Sequence, residues 1–226
     1  MSFFTYPFAA PATLHAISVT FRMAFMSTAI AAVLGICFGL FLERVQFFGK
    51  NIIVRINRTL MGVPPVVMGL IVYMLIMRRG PLGAFSMLFT IQGMVLAQIL
   101  IITPIISGMV HSYAVKTAPA IRIFAKTMGA SKKQTLWLLL REMRHEIYFA
   151  IVAGFGRAIS EVGAVMLVGG NIRGQTRTMT TAIAALQRQG IFQEGIALGV
   201  MLLLMAFVIQ WLADYLRRKE VTDENY

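Results

Sequence analysis

The sequence predicts an all-α membrane protein of about five transmembrane helices, with one helix-turn-helix held outside the bilayer. Three observations carry that expectation. The 226 residues are 58% hydrophobic and only 13% charged, about half the charged share of an ordinary soluble domain, and the mean hydropathy is +0.76. Apolar runs recur at roughly the 20-residue length that crosses a hydrocarbon core. Between two such blocks, residues 116–146 concentrate nine charged side chains. A charged island kept compact in so apolar a chain points to a soluble partner.

Taken in order, spans are expected over residues 23–42, 59–77, part of 80–115, and 195–213. Another, over 147–170, is interrupted only by Arg157 and Glu161. The uncharged run 80–115 is too long for one helix and too short for two. One span over 91–112 is therefore expected, preceded by a segment at the membrane surface. Residues 1–14 contain no Lys or Arg, so the basic start of a secretory signal is missing.

Five spans place the two ends on opposite faces, and cytoplasmic loops carry the excess of Lys and Arg. With the N-terminus outside, the inner segments hold Arg44, Lys50, Arg55, Arg58, seven cations of the island, and Arg217, Arg218 and Lys219. The outer segments hold Arg78, Arg79, Arg173, Arg177 and Arg188. The island is thus expected in the cytoplasm, with the N-terminus outside and the C-terminus inside. The net charge of +12 reflects this bias; no basic stripe interleaved with exposed aromatics marks a nucleic-acid partner. The single cysteine, Cys37, lies in the first span and excludes an intrachain disulfide.

Within the island, Thr117 and Pro119 read as a helix start. Ile121, Phe124, Ala125 and Met128 follow at helical spacing, leaving Arg122 and Lys126 on another face. Gly129 suits the left-handed residue that ends a helix. Ser131-Lys-Lys-Gln134 reads as a capping box opening a second helix with Leu136, Trp137, Leu139, Leu140 and Met143. Periodicity leaves two uses for this hairpin: docking into a partner's groove, or lying on the inner membrane surface with its lysines near anionic lipid.

Elsewhere, Arg157 and Glu161 stand one helical turn apart and can meet. Charges at membrane depth face a bundle interior or a watered cavity, so the pair reads as a translocation-path element or as a structural staple. Gly156, Ser160 and Ala164 form a small-residue stripe suited to close helix packing or a dimer seam. Pro64, Pro65 and Pro104 interrupt spans; Pro64 and Pro65 are candidates for the path, Pro104 for a plain kink. Gly169-Gly170-Asn171 reads as a helix stop. The outer arginines face Glu194 alone, with Arg22 near the outer end of the first span; a positive vestibule there would attract an anion or an acidic partner surface. The sixteen methionines read as apolar filler. His15, His111 and His145 lack partners at metal or catalytic spacing, so neither a metal site nor a catalytic residue is expected.

Several of these stretches resemble one family. Ala125-Lys-Thr-Met-Gly129-Ala-Ser is similar to the cytoplasmic "EAA" loop in permease subunits of binding-protein-dependent ABC importers. In this chain the usual Glu falls on Ile123, the first Ala on Phe124, and the closing Leu-Pro on Arg141-Glu142. Thr28-Ala-Ile-Ala-Ala-Val-Leu-Gly35 with Gly39 resembles the first core span of those permeases. Val63-Pro-Pro-Val-Val-Met-Gly69 resembles a signature of the molybdate, sulfate and tungstate branch. Gly156-Arg-Ala-Ile-Ser-Glu161-Val-Gly-Ala, Gly170-Asn-Ile172 and residues 178–183 resemble the same branch, and the stretch from Arg157 to Ala164 with Thr180-Thr-Ala-Ile183 resembles tungstate permeases above all.

The resemblance spans roughly residues 15–215 and implies the type I, MetI-like permease fold, residues 1–226 forming one transmembrane domain. It implies a multi-pass protein of a prokaryotic cytoplasmic membrane, a homodimeric pore for a tetrahedral oxoanion and alternating access. Tungstate comes first, with molybdate or sulfate as alternatives. It further implies an extracytoplasmic oxoanion-binding protein and an ATP-binding subunit dimer on Phe124, Ala125, Lys126, Gly129, Ala130 and Ser131. The chain carries no Gly-x-x-x-x-Gly-Lys-Ser/Thr loop, so no cofactor is expected on it and ATP belongs to the partner. Two other classes fit less well. An ion-coupled carrier would show paired inverted halves, and a membrane enzyme would need clustered His, Asp or Glu in its spans.

Overall fold

The structure, a computed structural model, describes residues 11–223, with side chains described for 12–211. The side chains of Arg217, Arg218 and Lys219, which entered the orientation reading, lie outside that range. Among the described residues nine α-helices follow one another: α1 (Pro11–Arg44), α2 (Lys50–Met61), α3 (Pro65–Ile76), α4 (Ile91–Thr127), α5 (Lys132–Glu142), α6 (Arg144–Ser160), α7 (Gly163–Gly169), α8 (Met179–Arg188) and α9 (Phe192–Asp223). No strand occurs among the described residues. Three helices are long and apolar enough to cross a membrane, α1, α4 and α9. Five crossings result if the bent pairs α2–α3 and α6–α7 each count as one.

Helices α1 and α4 form the most extensive pair. Small residues make this possible: a Cβ on Gly35 would stand 2.8 Å from Ile106, and one on Gly39 2.8 Å from the Ser107 carbonyl. Ser27 donates to Gln98 at 2.6 Å, and Gln98 donates to the Ala158 carbonyl at 2.8 Å, joining α1, α4 and α6. Ala24, Ala31, Ile102, Ile106, Val110, Ala114, Ala150 and Ala158 build the core between these three helices, and it continues outward to Leu139 and Met143 of the island.

The structure corrects three expectations. The island's first helix does not start at Thr117: α4 runs unbroken through Pro104 and Pro119, about 55 Å at 1.5 Å per residue. Each proline removes one backbone donor, and in both cases the carbonyl four residues earlier belongs to an exposed residue, Leu100 or Val115. The expected span 59–77 is not one helix. It begins at Lys50 and bends by 106° between α2 and α3, because the two prolines hold Val63 and Pro64 extended and Pro65 opens α3 at its first turn. The span 147–170 likewise breaks, by 58°. Glu161 leaves the helix (ψ 130°), which divides the Gly156–Ser160–Ala164 stripe: Ser160 is exposed while Ala164 is buried in the second core.

Other boundaries agree with the sequence. Thr90 caps α4 by accepting from the Gly93 amide at 3.2 Å, behind a turn-rich segment with one 3-10 turn at Gly83–Phe85. Gly170 and Asn171 take positive φ and end α7.

Candidate functional site

Two regions carry the candidate residues. The first is the hairpin at the end of α4. Its turn is a Schellman motif: the Ala130 amide donates to Ala125 O at 2.8 Å and the Gly129 amide to Lys126 O at 3.2 Å. Gly129 sits at φ +69° with nothing near its missing Cβ, so its requirement is conformational. Ser131 then opens α5 with the expected capping box, accepting from the Gln134 amide while Gln134 accepts from the Ser131 amide.

Ala125 and Leu139 anchor the hairpin inward. Ile123, Phe124, Met128 and Trp137 remain exposed, at 57 to 71%, and Arg141 stacks 5.4 Å from the Trp137 ring centre. Lys126 and Ser131 are exposed and Ala130 is half-buried. A groove of about 540 Å³ separates the hairpin from the end of α1, lined among others by Leu40, Phe41, Lys126, Ala130 and Leu136. Arg122 and Glu43 bridge it at 2.6 Å, a contact the sequence reading did not contain.

The second region is where the two helix breaks meet. Gly69 packs so closely on α7 that a Cβ there would lie 2.6 Å from the Ala164 Cα, and one on Gly163 would lie 2.6 Å from Val66. The proline break and the Glu161 break are therefore neighbours; Pro64 is exposed and Pro65 half-buried. Glu161 is almost fully buried. Its carboxylate accepts from the Ala164 amide at 3.1 Å and pairs with Arg157 at 3.2 Å. The pair forms as expected, although Glu161 lies beyond the end of α6.

Thr180 donates to the Glu161 carbonyl at 2.8 Å, and Thr20 of α1 accepts from the Met179 amide at 2.9 Å. Neither threonine stands out in the sequence as a site residue, although Thr180 belongs to the family-like stretch Thr180-Thr-Ala-Ile183. Arg22 is exposed on α1, and among the described residues it shares no hydrogen bond or ion pair with this cluster. Of the arginines expected on the outer face, Arg177 is committed to Asn171, donating to its side-chain oxygen at 3.1 Å.

This architecture offers a long unbroken helix ending in an apolar-faced hairpin, beside a crossing built from broken helices around a buried carboxylate paired with a half-buried arginine. Among the described residues no group of three or more His, Cys, Asp or Glu is placed to hold a metal. The chain is 42% identical over 195 residues to the tungstate uptake system permease protein TupB of Peptoclostridium acidaminophilum, covering 85% of this chain and 86% of that one. It is 38% identical to a probable anion ABC transporter permease protein of Haloferax volcanii, covering 90% and 91%. Its fold matches the crystal structure of a bacterial ABC transporter that imports the polysaccharide alginate, with a TM-score of 0.76 over 97% of this chain and 83% of that one, at 18% identity. A family model described as binding-protein-dependent transport system inner membrane component matches residues 35–221, and the chain belongs to that family, as a multi-pass permease subunit of an ABC transporter.

Proposed function

We propose that this permease carries a tetrahedral oxoanion, tungstate before molybdate or sulfate, along a path lined by two copies of the chain. The hairpin is the observation that carries the mechanism. Four exposed apolar side chains, Ile123, Phe124, Met128 and Trp137, stand on a turn fixed by Gly129 at the end of a continuous helix. Such a face, rigidly held, suits a groove on an ATP-binding subunit. ATP hydrolysis belongs to that separate subunit. Identity of 42% to a tungstate permease across most of both chains supports the choice of anion.

The hairpin end faces the cytoplasm, with the N-terminus outside and the C-terminus inside, and an extracytoplasmic binding protein delivers the anion to the opposite end. Exposed apolar residues along α1, among them Phe25, Val33 and Phe41, face lipid and the second copy. The breaks at Val63-Pro64 and Glu161-Val162 act as joints about which α3 and α7 move together, because Gly69 and Ala164 lock them face to face. The α1–α4 pair transmits motion without bending.

A pull-down of the tagged chain from native membranes tests the reading. Co-purification of an ATPase bearing a phosphate loop is expected, with uptake of tungstate depending on it. A chain that purifies alone and transports without ATP would contradict the assignment.

A further inference from the structure

At the hairpin end, α2 and the ends of α1 and α4 border an open cleft of about 1000 Å³. Six cations line it: Arg44, Lys50, Arg55, Arg58, Lys116 and Arg122. Its one carboxylate, Glu43, is already paired with Arg122 at 2.6 Å, and Lys50 donates to the Glu43 carbonyl at 3.3 Å. Among the described residues, Arg44, Arg55, Arg58 and Lys116 have no ion-pair partner. His111 also lines the cleft, 7% exposed, and its Nδ1 has no hydrogen-bond partner.

A topological bias alone would scatter cations over the connecting loops. Here they converge from three helices. Helix α2 turns Lys50, Val54 and Arg58 of one face into the cleft, while Ile52, Ile53 and Ile56 are exposed on the other. Asn57 holds that orientation by accepting from Ser107 at 3.0 Å and donating to the Pro104 carbonyl. An open cleft lined mainly by one sign of charge concentrates the opposite sign, and guanidinium forks match tetrahedral oxyanions.

We propose that this cleft is a binding site for a tetrahedral oxyanion group, either a free oxoanion in the cytoplasm or the phosphate of an anionic lipid. It takes from the proposed function only the cytoplasmic side of the hairpin end, and concerns binding there, independent of turnover.

The full chain is reconstituted in nanodiscs of phosphatidylcholine alone, and binding of labelled inorganic phosphate and of tungstate is measured by equilibrium dialysis. If the ligand is free anion, wild type binds both, more weakly as salt rises; Arg55→Gln/Arg58→Gln weakens binding about tenfold or more, and Arg55→Lys/Arg58→Lys stays within about threefold of wild type. If the ligand is lipid, neither anion binds measurably, but wild type purified from mixed bilayers retains phosphatidylglycerol by mass spectrometry and the Gln variant loses it. Wild type that holds neither anion nor anionic lipid overturns the proposal, as does binding that the Gln variant leaves unchanged while remaining monodisperse. Failure of transport with binding intact would count against the transport reading alone.

Discussion

The unbroken pair α1–α4 and the broken crossings α2–α3 and α6–α7 meet in one bundle but solve opposite problems. In the pair, alanines and glycines bring two long helices together over most of their length, and buried Ser27 and Gln98 cross-link them. Two prolines fail to interrupt α4, because burial of Pro104 itself, and of Ala114 and Ala118 beside Pro119, outweighs the single hydrogen bond that each removes. At the α6–α7 break the backbone leaves the helix, and the freed groups are met by side chains, the Ala164 amide by Glu161 and the Glu161 carbonyl by Thr180. The same physical demand, satisfying every polar group in an apolar setting, thus yields an unbroken pair in one region, the proposed lever, and a wall of broken helices in the other, the proposed joint.

That contrast breaks most severely at Gly69. Gly69→Val drives a side chain into the Ala164 backbone, an overpacking cost of about 3 kcal/mol or more; most of the protein should aggregate on size-exclusion chromatography in mild detergent. Glu161→Ala leaves Arg157 half-buried without its partner and α7 without the acceptor for the Ala164 amide. The expected loss is about 2–3 kcal/mol, reduced from the fully buried case because Arg157 keeps some solvent contact. It is read as a fall in melting temperature, with tungstate uptake abolished. Glu161→Gln keeps an acceptor for Ala164 and isolates the charge. Uptake lost at near-native melting temperature marks the pair as part of the path; uptake retained with a lower melting temperature marks a staple.

On the lever side the effects are smaller and more local. Gly129→Val forces a β-branched residue into the left-handed region, at about 1–2 kcal/mol. Membrane insertion should be unchanged and ATPase co-purification lost. Ser131→Ala removes one half of the capping box, costing about 1 kcal/mol, and should weaken ATPase association by several-fold. Glu43→Gln removes an ion pair whose arginine is 43% exposed; the change should stay below about 1 kcal/mol and shrink further in high salt.

The hairpin was legible because its signals are local: a glycine needing positive φ and a Ser-x-x-Gln box determine the turn whatever surrounds them. The all-helical class and the places of the apolar segments were legible too, from length and charge; the five expected crossings are reached only if each bent pair counts as one. The breaks were only half legible. Pro64 and Pro65 announce one in the sequence, but Glu161 carries no helix-breaking chemistry, and its break depends on partners 19 residues on, at Thr180. The apparent start at Pro119 misled for the converse reason, since packing of Ala114 and Ala118 against the core overrides a local preference. The Glu43–Arg122 bridge joins residues 79 apart, and no spacing rule reaches that far.

The difference between lever and joint is most directly tested by paired spin-label distances in the assembled transporter, with and without trapped nucleotide, in a Cys37→Ser background diluted with unlabelled protein. Labels at Val33 and Val115, exposed on α1 and α4, report the lever; labels at Ile56 and Met74, exposed on α2 and α3, report the joint. The first distance should stay within about 2 Å and the second change by about 5 Å or more between states. A fixed Ile56–Met74 distance with a shifting Val33–Val115 distance would contradict the division of the bundle into lever and joint.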